Sequence, residues 1–146
     1  MSRLIKRLTM TLVLVSMLLV SVTGTVFANQ KIEGPDFGIE VSPNVLNVGS
    51  SSLYGHIHSN IPFAGVDLVS VQLWVDGEDY TDTILDKEAD DCGHLVVKFD
   101  LNDQTLNLKT NLTGQDEAVF ELTYEYLGVQ YKNTDTIDVI QPNTIP

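Results

Sequence analysis

The sequence predicts an all-β domain, an antiparallel β-sandwich of seven to eight strands. Three observations carry that prediction. Short apolar runs of period two recur between Gly38 and Ile140, separated by roughly eight to twelve residues as in sandwich folds. Gly, Pro, Asn and Asp punctuate the gaps, each a residue that turns favour. Beyond the first 28 residues, no segment sustains apolar positions at steps of three and four, so no amphipathic helix is expected.

A leader precedes the domain. Arg3, Lys6 and Arg7 form a basic head, residues 8–28 carry no charge, and Val26-Phe27-Ala28 offers short side chains where a signal peptidase reads. This three-part layout predicts a secretory signal peptide over residues 1–28 and a secreted, extracellular protein. The alternative is retention, because the 21 uncharged residues suffice for an uncleaved N-terminal helix that anchors the domain.

Cleavage would leave 118 residues, enough for one domain with its own core. It would also remove both arginines and one lysine, moving the net charge from −12 to −15. Such an acidic chain repels nucleic acid and anionic lipid and has no guanidinium fork for phosphate. Neither nucleic acid nor, after cleavage, membrane insertion is expected. Cys92 is the only cysteine, so no intramolecular disulfide can form.

The elements follow in order. Residues 29–37 form a polar lead-in with a Gly-Pro pair. Gly38 to Val41 reads as a strand stopped by Ser42-Pro43-Asn44, and Val45 to Val48 as a short one ended by Gly49-Ser50. Leu53 to His58 follows, ended by Asn60-Ile61-Pro62. In Val66 to Val75, Val69, Val71, Leu73 and Val75 are expected to face one way and Ser70, Gln72 and Trp74 the other. Asp76-Gly77 is a hairpin turn, after which Tyr80 to Leu85 returns as a strand. Asp86 to Gly93 reads as an acidic loop, and Leu95 to Phe99 as a strand. Asn102 to Thr113 is polar with spaced leucines. Ala118, Phe120, Leu122, Tyr124 and Tyr126 form one face of a long strand, Leu127-Gly128 turns the chain, and Val129 to Ile140 closes the domain. Residues 141–146 read as a loose tail.

Three groups of residues could carry chemistry. Asp86, Glu88, Asp90 and Asp91 crowd the acidic loop, and carboxylates spaced this way can converge on a hard cation such as calcium. The glycine turn and closing glutamate of an EF-hand loop are missing, and the alternative is a solvated acidic turn. A second acid group, Asp76, Glu78, Asp79 and Asp82, lies one hairpin away. His56 and His58 project from one strand face. They could hold zinc or copper with a third ligand such as His94 or Cys92, or stand as two surface histidines. Trp74, with Tyr80 beyond the turn, could stack on a sugar ring; the alternative is that both rings fill the core. Asn111-Leu112-Thr113 is a glycosylation sequon. No nucleophile elbow, zincin helix or phosphate loop occurs, so no enzyme is expected. A small hydrolase built on a carboxylate pair is the less favoured reading.

Four pieces resemble a known module. Ile39-Glu40-Val41-Ser42-Pro43, the run from Asp90 to Phe99, Leu112-Thr113-Gly114, and Asp135 to Val139 occur here in the order found in an immunoglobulin-like β-sandwich of exported bacterial and archaeal proteins. The resemblance spans Ile39 to Ile140. It implies an immunoglobulin-like sandwich at residues 38–140, without the paired cysteines of antibody domains. Relatives of that module often carry a calcium-type Asp-x-Asn-x-Asp-Gly loop, whereas this chain has Cys92 and His94 there. The expected role is a non-catalytic binding or adhesion module for an extracellular glycan or surface protein. The alternative is a cation-stabilised structural module of an extracellular assembly.

Overall fold

The computed structural model describes residues 35–142. The expected leader, most of the lead-in and the last four residues of the tail lie outside the described residues. Nine strands are described: β1 Ile39–Ser42, β2 Val45–Asn47, β3 Tyr54–Pro62, β4 Val66–Val75, β5 Glu78–Asp79, β6 Ile84–Ala89, β7 His94–Asp100, β8 Glu117–Tyr126 and β9 Val129–Ile140. One α-helical turn, α1, spans Leu108–Asn111, and 3-10 turns lie at Phe63–Gly65 and Thr81–Thr83. No helix among the described residues is long and apolar enough to cross a membrane.

The strands form two sheets, ordered β1-β3-β7-β6 and β2-β9-β8-β4-β5. Every neighbouring pair is antiparallel except β2 and β9, which run parallel. The wholly antiparallel expectation is corrected at that edge. β1 and β2 are one run of chain broken at a cis Ser42–Pro43 peptide, and its two halves join opposite sheets.

Pleat alternation supplies the core. Ile57, Leu95, Val97 and Phe99 enter it from the first sheet, and Leu73, Val75, Phe120, Leu122 and Tyr124 from the second. Each such side chain contributes about 1.5–3 kcal/mol by leaving water. The Phe99 and Phe120 rings meet between the sheets at 5.7 Å. Gly55 makes room for Phe99, since a Cβ there would stand 2.3 Å from that ring.

Asp76-Gly77 and Leu127-Gly128 both turn as expected. The paired positive φ values, 50° and 85° at the first and 50° and 81° at the second, match the twist of the flanking strands.

Several expectations are corrected. The ninth strand is β5, a two-residue return after Asp76-Gly77. Tyr80 to Leu85 is not one strand, because Thr81–Thr83 makes a 3-10 turn and β6 starts at Ile84. Asp86 to Ala89 belongs to β6, so the acidic loop shrinks to the turn from Asp90 to Gly93. A sheet edge tolerates charged residues because one side of it meets water. Val69 faces outward and is 90% exposed. A bulge between Asp67 and Gln72 breaks the alternation there. It is held by the Val69 N–H on Asp67 Oδ1 and the Ser70 hydroxyl on the Asp67 carbonyl. The polar segment before β8 contains α1, which buries Leu108 while Leu112 just beyond it is buried too.

Candidate functional site

The β4–β5 hairpin carries Trp74 and three acids of the second acid group. Trp74 pairs with Asp79 on β5 and Glu121 on β8, which puts its half-buried indole on the outer face of the five-stranded sheet. The next rung holds Gln72, Thr123 and Lys132. The Thr123 hydroxyl donates to Gln72 Oε1 at 3.3 Å, and Lys132 Nζ pairs with Glu121 at 3.0 Å.

Beside this hairpin, near α1, lies a groove of about 320 Å³. Val75 and Leu112 provide apolar wall, and Asp76, Glu78, Asn111 and Gln115 provide polar groups. Tyr80 follows the core-filling alternative and not the sugar-stacking one, because it is 2% exposed and its ring belongs to the core. Only its hydroxyl works at the groove, accepting a hydrogen bond from Asn111 Nδ2 at 2.8 Å and donating a long one to Glu78 Oε2 at 3.5 Å. Asn111 Nδ2 also donates to the Leu106 carbonyl, so the sequon nitrogen is doubly engaged. Asp76 Oδ1 accepts the Val119 N–H at 2.9 Å, which ties the hairpin turn to β8. Asp79 accepts from Thr81 through both its side chain and its backbone N–H, and these bonds hold its carboxyl below the ordinary range.

The four acids of the predicted metal loop separate. Asp86 and Glu88 lie on β6, opposite Lys98 and Val96 of β7. Asp86 Oδ1 accepts the Lys87 N–H. Asp90 caps the β6–β7 turn, its Oδ1 accepting the Cys92 and His94 N–H groups at 2.8 Å each. The His94 N–H is the main reason this carboxyl titrates below its ordinary value. Asp91 and Cys92 are exposed in the turn. Asp90 thus serves the backbone, as a short carboxylate in a turn commonly does.

His56 and His58 stand where the pleat requires, with Gly55 and Ile57 facing inward. Their ring centroids are 6.2 Å apart. His94 is in register with Pro62, four positions beyond His58 on β3. Among the described residues, no three His, Cys, Asp or Glu side chains gather to hold one metal ion.

Sequence reading singled out Trp74, which lies on the outer sheet face outside the groove's lining, and missed the groove. Gln115 gave no signal of its own, and Asn111 stood out only as a sequon. The four-residue spacing of Leu108 and Leu112 was the available sign of a helical turn there. A scan against protein-family models finds no match, and no curated protein matches the chain.

Proposed function

We propose that this chain is an exported, non-catalytic immunoglobulin-like module that binds an extracellular glycan through its β4–β5 hairpin. The leader supports export. The strand orders support the fold: β1-β3-β7-β6 follows the A-B-E-D sheet of immunoglobulin domains. β9-β8-β4 follows G-F-C, with β5 in the added C′ position.

One observation carries the binding reading. The groove combines two carboxylates, Asp76 and Glu78, with the amides of Asn111 and Gln115 and the Tyr80 hydroxyl, all against apolar Val75 and Leu112. The carboxylates and the Asn111 side-chain oxygen can accept from sugar hydroxyls, the Gln115 amide nitrogen has a hydrogen left to donate, and apolar wall meets the C–H face of the ring. Trp74 adds an indole on the same hairpin, on the sheet's outer face. The non-catalytic reading rests on the sequence, which holds no nucleophile elbow, zincin helix or phosphate loop.

The test applies the purified chain to arrays of glycans and surface proteins, beside Trp74→Ala and Glu78→Gln. The expected result is a glycan signal that both substitutions weaken. Signal only on proteins would move the ligand class, and a silent array would sink the binding reading.

A further inference from the structure

We propose that the outer face of the four-stranded sheet carries a surface chelate for a divalent transition-metal ion, formed by one ring nitrogen each of His56 and His58. The site is separate from the hairpin groove and does not depend on it. β3 is pleated so that both imidazoles leave the same face, with ring centroids 6.2 Å apart and planes inclined at 32°. Two imidazoles that share an ion at about 2 Å from each nitrogen have centroids roughly 5 Å apart at a tetrahedral angle. A small side-chain rotation closes the difference, and both side chains reach the surface.

The surroundings suit a cation. His56 sits on a rung with Ser42 and Lys98, and His58 on one with Glu40 and Val96. The same two rungs continue to Asp86 and Glu88 on β6. The one ammonium among these neighbours, Lys98 Nζ, is turned over the Tyr54 ring at 4.3 Å from its centre; it keeps its charge, and Glu40, Asp86 and Glu88 outnumber it three to one. Three carboxylates therefore share the rungs of the histidine pair, and the strongly negative chain raises the local cation concentration. A groove of about 330 Å³ beside Glu40 and His58 leaves room for the ion's waters.

The ligand atoms choose the ion. Imidazole nitrogen suits copper, nickel and zinc, whereas calcium wants a cage of oxygens. Binding exchanges two metal-bound waters for two ring nitrogens, and water or a donor from a second molecule fills the other positions.

The test titrates the purified Cys92→Ser chain with copper(II), zinc(II) and calcium chloride, beside His56→Ala and His58→Ala in the same background. Calorimetry should find one saturable copper or zinc site that either substitution weakens by about tenfold or more, and no calcium site. Copper should selectively broaden the NMR signals of His56, His58 and Glu40, a readout that also reports whether each variant is folded. Transition-metal binding unchanged in both variants, broadening centred elsewhere, or no saturable site would overturn the proposal.

Discussion

Leu127 is a leucine where a tight hairpin turn wants asparagine, aspartate or glycine. Its φ is 50°, inside the left-handed region, and its side chain is 74% exposed. An L-residue in that conformation costs roughly 1–2 kcal/mol, and asparagine bears it more cheaply because its short polar side chain can bond locally. About a quarter of the leucine surface is covered, so the burial lost on replacement is small, about 0.5 kcal/mol by area scaling. Leu127→Asn should therefore stabilise the domain by about 0.5–1 kcal/mol, a rise in Tm of roughly 2–5 °C for a chain of this size. Leu127→Gly should gain less, because glycine's freedom in the unfolded chain costs about 0.5–1 kcal/mol. Thermal unfolding followed by circular dichroism reads both. A lower Tm in Leu127→Asn would refute the reasoning, since it would mean that the leucine is held by contacts worth more than the turn strain.

Other expectations test the interior and the turns. Gly55→Ala drives a Cβ to 2.3 Å from the Phe99 ring, and should lower stability by about 1–3 kcal/mol; an unchanged urea midpoint would show that the ring gives way freely. Asp90 is held below its ordinary value by the His94 N–H, so the unfolded chain binds the proton more readily than the folded one. The stability that Asp90→Ala forfeits is then present above the unfolded value near ~4 and is lost as pH falls through the depressed folded value. Thermal scans of both proteins across pH should show their gap closing in acid, and a gap that widens there would contradict the assignment. Because Asp90 caps its own turn and Asp86 and Glu88 lie on a strand, calcium in place of chelator should leave Tm unchanged. A rise of several degrees would instead favour the cation-stabilised structural module.

Much of the fold was legible where alternation runs unbroken. The face from Ala118 to Tyr126, the turn at Leu127-Gly128 and the closing strand to Ile140 all appear in the structure, and Trp74 lies opposite Val71 and Leu73. Reading failed where a local irregularity resets the phase. The bulge after Asp67 turns Val69 outward, and the 3-10 turn at Thr81–Thr83 separates Tyr80 from the strand that starts at Ile84. β6 was hidden because an edge strand in water can be built from charged residues. α1 is a single turn, and the one i, i+4 pair Leu108 and Leu112 is all the helical spacing it leaves in the sequence. The groove was illegible for a different reason: the β4–β5 hairpin and α1 are some thirty residues apart in sequence, and only the closed sandwich brings Glu78 and Tyr80 to Asn111.

The most direct measurement of the binding account is an amide NMR titration of the purified chain with the tightest glycan from the array. The account predicts that shifts concentrate on Asp76, Glu78, Asn111 and Gln115, which line the groove, and extend to Trp74 on the outer face of the same hairpin. Shifts confined to the histidine face of β3, or to the Leu127-Gly128 turn, would contradict it.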